Sequence, residues 1–146
     1  MERNIYRIID ANFNRAREGC RTMEEFCRFE LNSKPLSSRA KQIRHSLCAG
    51  VGKIDAGRLI ASRNSGGDVG RGMAIAKQME RKSLAECFTA ACKRVGEALR
   101  VLAETIQTID PAIAAEIEKL RFESYAFEKD AWLFADGMNK YREVRL

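Results

Sequence analysis

The stretch RAREGCRTMEE, residues Arg15 to Glu25, decides the fold class of this chain. Four of its charged residues follow one another at steps of three, three and four: Arg15, Glu18, Arg21 and Glu25. Such steps keep side chains on one side of an α-helix. The stretch RVGEALRVLAE repeats the pattern 79 positions later with Arg94, Glu97, Arg100 and Glu104. We call the two sets the first and the second ladder, and they predict a duplicated helical sequence.

Apolar residues accompany each ladder at alternating steps of four and three. The first stripe consists of Ile9, Phe13, Ala16, Cys20, Met23 and Cys27. It predicts one long amphipathic helix from about Ile5 to Leu31. The second stripe consists of Phe88, Cys92, Val95, Leu99, Leu102 and Ile106. Ser83 and Glu86 form a capping-box pattern, so we expect the second helix of this kind to resume at Ser83.

The two prolines mark the starts of two further helices. Pro35 precedes a shorter helix that runs to roughly Gly50, and Pro111 precedes a helix that ends near Gly137. Proline is favoured in the first helical turn, where its missing N–H has no helical partner to lose. Asp110 is a good N-cap for the last helix.

The order of these helices predicts two helical hairpins, because short breaks between helices make antiparallel neighbours. The segments KQIR (residues 41–44) and EKLR (residues 118–121) align at an offset of 77, which extends the duplication to the second helix of each hairpin. The crossover between the hairpins holds six of the ten glycines. We therefore expect one all-α domain over residues 1–146. In it, pseudo-repeats at about 5–50 and 83–137 form a four-helix bundle with a Gly-rich crossover loop.

Cysteine and aromatic residues are expected in the core. Three cysteines lie on the apolar stripes: Cys20, Cys27 and Cys92. On the last helix we expect Tyr125, Phe127 and Trp132 in the core, although Tyr125 lies one turn beyond Arg121, within reach of a pocket.

Composition limits the class of partner and compartment. The formal net charge of +6, from 26 basic and 20 acidic residues, favours an anionic partner, and phosphorylated small molecules fit as well as nucleic acid. Five cysteines without a CxxC motif, and a single histidine, argue against a disulfide framework and against a zinc site. The charged start MERNIYRIID has no apolar run of membrane-spanning length. These features predict a soluble cytoplasmic protein that does not enter a membrane.

The first arginine of each ladder differs from the rest of its ladder. Helical spacing places Arg15 and Arg94 within uncharged arcs of their helices. A guanidinium among apolar neighbours needs a partner, because an unpaired buried charge is costly. Two such arginines brought together by the repeat would suit phosphates, which arginine binds bidentately. The alternative is that each arginine pairs with a glutamate of the other ladder across the bundle.

The loop SRNSGGDVGRG, residues 62–72, is the second candidate phosphate-binding element. Its glycines leave backbone N–H groups accessible, and Arg63 adds a cation. It lacks the terminal Lys-Ser/Thr of a Walker A motif, so a flexible linker is the alternative. Asp68, with Asp10 or Glu18, offers the carboxylates that Mg²⁺ takes together with phosphates and water.

The motif D-A-N-x-N-R-x-x-E-G in RIIDANFNRAREGC resembles that of a known family, as do LIASRNSGGDVG, KRVGEALRVLAE and KLRFESYAFE. The chain resembles, over nearly its whole length, the all-helical, monofunctional hydroxymethylpyrimidine phosphate kinases of bacterial thiamine biosynthesis. Members occur alone or fused ahead of thiamine-phosphate synthase. The resemblance implies conversion of 4-amino-5-hydroxymethyl-2-methylpyrimidine phosphate to the diphosphate with ATP and Mg²⁺. It also implies a functional link to thiamine-phosphate synthase.

The resemblance, together with the chemistry, assigns candidate roles. Catalytic roles are expected for Arg15, Glu18, Arg63 and Arg94. Binding of substrate and phosphates is expected for Asn12, Arg21, Arg44, Gly70, Glu97, Arg100, Arg121 and Tyr125. Metal binding is expected for Asp10 and Asp68. Arg28 and Glu104 also match the motifs, whereas Ala91 stands where the family pattern has asparagine.

Two other classes of function compete with the kinase. One is a non-catalytic pyrimidine-phosphate-binding or partner module of thiamine-phosphate synthase, which would not turn over ATP. The other is a basic helical module that binds nucleic acid or protein, for which nucleic-acid binding would depend steeply on salt. No exposed stretch alternates aromatic with basic residues, which makes nucleic acid the weaker expectation. Small helical enzymes often complete their pockets by self-association, so we expect a homo-oligomer.

Overall fold

The computed structural model describes residues 2–73 and 80–145, which form helices and turns without any β-strand. The helices are α1 (Glu2–Glu25), which continues into a π-helical turn (Phe26–Glu30), α2 (Lys34–Val51), α3 (Ala56–Ala61), α4 (Leu84–Ile106) and α5 (Pro111–Arg145). The predicted all-α class is confirmed over these residues.

Side-chain caps lie at the starts of three helices, and those of Ser83 and Asp110 were predicted. Ser33 caps α2 by accepting a hydrogen bond from the N–H of Leu36, with Pro35 in the first turn. The Ser83 hydroxyl accepts the N–H of Glu86 at 3.1 Å at the start of α4. Asp110 accepts the N–H groups of residues 112 and 113 at the start of α5. Each cap satisfies a backbone donor that has no partner within the helix.

The bounds of the first and the last helix differ from the prediction, whereas α2 ends at Val51, close to the predicted Gly50. The first helix begins at Glu2 rather than Ile5, and its last turn is π-helical, with the N–H of Leu31 donating to the carbonyl of Phe26 at 3.0 Å. The last helix does not end near Gly137 but continues to Arg145. One glycine in a helix costs only about 1 kcal/mol, which the neighbouring turns outweigh.

The four long helices pack so that each contacts two of the other three. Helix α1 packs against α2 and α4, and α5 packs against the same two helices. Helices α1 and α4 run antiparallel, since the ring of Phe26 stacks on Phe88 with centroids 4.6 Å apart, while Gly19 lies against Val95. The short helix α3 lies in the crossover and packs against α1.

The apolar stripes form the core, with two corrections on α5. Cys20, Cys27 and Phe127 are fully buried, as predicted. Tyr125 and Trp132, expected in the core, are 45% and 61% exposed. They lie two residues before Phe127 and one residue after the buried Ala131, which turns them about 100 to 200° away from the core.

None of the helices that the structure describes combines the length and the apolar character that a bilayer crossing requires.

Candidate functional site

Each ladder divides into a paired half and an unpaired half. Arg21 pairs with Glu25 at 3.1 Å, and Arg100 pairs with Glu104 at 3.0 Å, at equivalent places in the two copies. These are exposed i,i+4 ion pairs, which contribute little to stability. This half of each ladder therefore has the solvated helix face that charged ladders usually have.

Arg15 and Arg94 match neither arrangement that the sequence suggested, which were a shared phosphate site and pairing with glutamates of the other ladder. Arg15 makes one long hydrogen bond, 3.4 Å, to Oδ1 of Asn12. In the described parts of the chain, the side chains of Glu18, Arg94 and Glu97 have no hydrogen bond or ion pair. Neither predicted cross-bundle pair forms, and Arg15 and Arg94 do not line one pocket. Both arginines are exposed, because their arcs lie at the outer edge of the α1–α4 contact rather than inside it.

A cleft of about 600 Å³ lies between the first four turns of α1 and the loop that follows α3. We call it the Arg15 cleft. Its lining residues are Asn4, Arg7, Ile8, Asp10, Ala11, Asn12, Arg15, Arg63, Asn64, Ser65 and Asp68. Five predicted site residues from two distant segments therefore meet here. Arg7 was missed by the sequence analysis, because it precedes the ladder and belongs to no repeat of it.

Asp10 and Arg63 hold the two walls of the cleft together. Nε of Arg63 donates to Oδ2 of Asp10 at 2.7 Å, and Nη2 donates to Oδ1 at 3.0 Å. Asp10 is buried, whereas the Arg63 side chain is half exposed. The hydrogen bonds and charge of Asp10 raise the pKa of Arg63. Sequence reasoning expected Asp10 to bind a metal, but in this structure both of its oxygens serve Arg63.

Short polar turns shape the loop wall of the cleft. Oδ1 of Asn64 accepts the N–H of Gly67 at 2.9 Å, and Oδ1 of Asp68 accepts the N–H of Gly70 at 2.9 Å. A β-carbon at position 67 would clash with the Asn64 amide, which explains the glycine there. Oδ2 of Asp68 has no hydrogen bond to the described residues. Asp68 therefore lines the cleft with one carboxylate oxygen that remains available to a ligand.

A second cleft, of about 510 Å³, lies between α4 and α5. Its lining residues are Gly96, Glu97, Arg100, Val101, Arg121 and Tyr125, so four more predicted residues meet at this place. Arg121 donates from Nε to Glu118 at 3.0 Å and from Nη1 to the Tyr125 hydroxyl at 3.3 Å. These bonds raise the pKa of Arg121, and Arg121 in turn lowers the pKa of Glu118. The two clefts share no lining residue.

Arg44 lies outside both clefts, at the α1–α2 contact. Nη2 of Arg44 donates to the buried carboxylate of Glu24 at 3.1 Å, while its Nε is buried without a partner. Arg121, which aligns with Arg44 in the repeat, takes its carboxylate from its own helix instead. Ala103 stands where the first copy has Glu24. The arginine therefore pairs with a carboxylate of another helix in the first copy and with a carboxylate of its own helix in the second copy. An alignment of the two copies does not reveal this difference.

Metal-binding capacity is limited in this structure. No cluster of three or more Asp, Glu, His or Cys side chains occurs within residues 2–73 and 80–145. Mg²⁺ needs only one or two carboxylates when phosphates and water supply its other ligands. Asp68 fits that requirement better than Asp10, because only Asp68 keeps an oxygen without a hydrogen bond.

Comparison with known proteins gives relatives along the whole chain. A thiamine-phosphate synthase of Rhodopirellula baltica is 42% identical over 148 residues, which are 99% of this chain and 40% of the relative. A thiamine-phosphate synthase of a Synechocystis strain is 44% identical over 124 residues, covering 85% of this chain and 35% of the relative. The chain thus spans about two fifths of the length of these relatives.

Solved structures offer no counterpart, since none of them matches this chain. A family model does match, over residues 7–130, and it covers both ladders and every lining residue of the Arg15 cleft except Asn4. The chain belongs to the ThiD2 family.

Proposed function

We propose that the chain is an ATP-dependent kinase that converts 4-amino-5-hydroxymethyl-2-methylpyrimidine phosphate to the diphosphate in thiamine biosynthesis. The Arg15 cleft carries this proposal. It gathers Asp10, Asn12 and Arg15 of the first motif with Arg63 and Asp68 of the loop motif, across some 50 positions of sequence. The cleft contains three arginines and two aspartates, and one of the aspartates is paired with Arg63. Positive charge therefore exceeds negative charge, which suits a polyanion.

The chemistry of this transfer suits a site without a strong general base. The acceptor is a phosphate monoester whose second pKa is about 6, so its oxygen is already mostly anionic at neutral pH. The transfer needs two polyanions held in line with their charge neutralised. Arginines and a cation provide this, and the cleft requires no histidine.

Four side chains of the cleft would share this work. Arg15 and Arg63 would bind phosphate oxygens, because each keeps N–H groups free of strong protein partners. Asn12 would orient Arg15 through its side-chain oxygen. Mg²⁺ would neutralise phosphate charge, with Asp68 as its protein contact. Glu18 and Arg94 do not line the cleft, which favours a role for them outside the chemistry.

The α4–α5 cleft is the proposed site for a further part of a ligand. Its tyrosine ring lies over Gly96, where a β-carbon would be 3.1 Å from the ring, so the backbone and the ring pack closely. Arg100 and Glu97 stand beside that ring. An aromatic surface next to cations suits a planar heterocycle that carries phosphate.

We also propose that the four long helices form one bundle made of two copies of a helical hairpin, with the Gly-rich segment as crossover. The support is the equivalent pairing of Arg21 with Glu25 and of Arg100 with Glu104. In the second copy, 79 positions later, Thr89 and Ala91 take the places of Asp10 and Asn12. The second copy therefore lacks two of the side chains that form the Arg15 cleft in the first.

A second candidate is a non-catalytic module that binds the pyrimidine phosphate and serves thiamine-phosphate synthase. The observation in its favour is that this chain aligns with about two fifths of proteins that bear that name. Such a module would bind the substrate in the Arg15 cleft but would not consume ATP. A nucleic-acid module is less favoured, since half of each ladder is neutralised by its own glutamates.

Ligand binding tests the cleft directly. We expect hydroxymethylpyrimidine phosphate to bind in isothermal titration calorimetry, and the unphosphorylated alcohol to bind much more weakly. Arg15→Ala should weaken phosphate binding about 10- to 100-fold, since a charge-assisted hydrogen bond is lost. Arg17→Ala is the matched control, because Arg17 lies on the same helix, bonds to Asn14 and lies outside the cleft. Equal affinity of both variants would contradict the assignment.

A further inference from the structure

A second row of residues runs beside the core stripe on both α1 and α4, again at steps of four and three. On α1 the row is Ile8, Asn12, Arg15, Gly19, Thr22, Phe26 and Phe29. On α4 the row is Cys87, Ala91, Arg94, Ala98, Val101 and Thr105. We call these two rows together the seam. In each row the arginine is the only charged residue.

The seam is only partly used by the contact between α1 and α4. Gly19 is buried there, because a β-carbon would lie 2.6 Å from Cγ2 of Val95. Other members face solvent: Ile8 is 43% exposed, Phe29 67% and Val101 36%. Asn12, Ala91 and Ala98 are buried like Gly19, so the seam is a largely uncharged strip with exposed apolar residues along it. Exposed apolar surface of this kind commonly marks a contact with another protein.

Four charges that form no ion pair with the described residues lie at the centre of this surface or beside it. Because the helices are antiparallel, Glu18 and Glu97 come to about the same level of the seam, and Arg15 and Arg94 lie about one turn away on opposite sides. The ion pairs one turn further along each ladder show that these residue types pair readily when a partner is within reach. Two arginines and two glutamates in a pseudo-twofold arrangement make the surface complementary to itself.

We propose that the seam is an interface between two copies of this chain, in which Arg94 of each copy pairs with Glu18 of the other. A twofold interface places the same patch on both subunits, so it requires a self-complementary patch. A partner whose surface carries charge of one sign would instead need a patch of the opposite sign. The seam, with its two arginines and the two glutamates beside it, carries both signs equally. Arg15 remains at the edge of the interface and lines the cleft. The proposal does not depend on the kinase activity.

Sedimentation equilibrium of the whole chain without ligand tests the interface. We expect a dimer for the wild type. Arg94→Glu and Glu18→Arg should each weaken it at least about tenfold, because each places like charges opposite one another. An equimolar mixture of the two variants should recover a dimer, since the Glu at position 94 then faces the Arg at position 18. Lys93→Glu is the control, with the same charge change one residue away and outside the seam.

Three results would overturn the proposal. One is a monomeric wild type at every concentration. Another is a dimer that neither charge reversal weakens, including one that is lost only when the exposed Trp132 of α5 is changed to Gln. The third is a mixture of the two variants that remains monomeric while both variants keep the wild-type circular dichroism spectrum. Because no ligand is present, these results are separate from success or failure of the kinase proposal.

Discussion

Arg15 and Arg21 lie six residues apart on one helix, yet their surroundings give them different roles. Arg21 pairs with Glu25 in solvent, whereas Arg15 has one long hydrogen bond and lines a cleft. The sequence showed that Arg15 differs, because only Arg15 sits in an uncharged arc. It could not show that the arc borders a cleft instead of the core, since that depends on where the distant loop packs.

Asp10 illustrates a role that sequence could not reveal. Its type and motif suggested a metal ligand, but its partner, Arg63, is 53 positions away and reaches it only in the folded chain. The pair of buried Glu24 and half-buried Arg44 was missed for the same reason, since the two residues lie on different helices, α1 and α2. Contacts between distant charged residues are not encoded in helical spacing.

Removing the charge of Asp10 should release the loop from α1. Asp10→Asn keeps the shape of the side chain but leaves Arg63 without a carboxylate partner. We expect limited trypsin digestion to cleave after Arg63 about tenfold faster, because local opening of the loop becomes easier. Asp130→Asn is the control, because Asp130 of α5 pairs with Arg39 of α2 rather than with the loop that holds Arg63. An unchanged cleavage rate would show that the pair does not hold the loop.

The buried thiol of Cys20 should make stability depend on alkaline pH. Burial raises its pKa from an ordinary 9.0 to about 12. Above pH 9 the unfolded chain therefore releases the proton before the folded chain does, so stability present below that pH is lost progressively up to about pH 12. The free energy of unfolding should fall by up to about 1.4 kcal/mol per pH unit from this thiol.

Urea denaturation at a series of pH values measures this effect. Cys20→Ala should be less stable than the wild type at neutral pH, but its stability should decline less steeply above pH 9. Equal slopes for the two proteins would show that the thiol ionises as easily in the folded state as in the unfolded state.

The starts of α2, α4 and α5 were predictable, whereas the start of α1 and the end of α5 were not, for physical reasons. Starts depend on side chains adjacent in sequence, such as Ser83 with the N–H of Glu86, so the signal is local. The end of α5 depends on whether one glycine outweighs the helical preference of its neighbours, and at Gly137 it does not. The π-helical turn after Glu25 had no sequence signal that we could identify.

Two glycines in helices should respond to alanine with opposite signs. Gly19→Ala places a β-carbon 2.6 Å from Cγ2 of Val95, and a β-branched side chain has little freedom to move. We expect a loss of about 1 to 3 kcal/mol in the free energy of unfolding. Gly137→Ala meets no atom within 4 Å and should stabilise the helix by up to about 1 kcal/mol.

Thermal or urea unfolding of both variants provides the measurement, with each variant serving as the control for the other. Combining Gly19→Ala with Val95→Ala should cost less than the sum of the two single changes, because the clash is removed. Additive effects, or a harmless Gly19→Ala, would mean that α1 and α4 do not approach as closely as described.

At the scale of the whole molecule, the core was more predictable than the site. The two apolar stripes predicted the buried residues of their helices, apart from the partly buried Phe13, because helical periodicity is a property of each segment by itself. The site depends on which segments meet. Some motif residues line the Arg15 cleft and others line the α4–α5 cleft, whereas Glu18, Arg21, Arg44, Gly70 and Arg94 line neither. Only the folded chain shows that division.

The measurement that tests the central claim most directly is ADP release by the purified chain with Mg-ATP. Hydroxymethylpyrimidine phosphate and its unphosphorylated alcohol are offered in parallel, with Arg15→Ala as the variant. We expect ADP release with the phosphate, little with the alcohol because it lacks the anion that Arg15 is proposed to bind, and loss of release in the variant. Folded protein that binds the phosphate but releases no ADP would contradict the kinase and support the partner module.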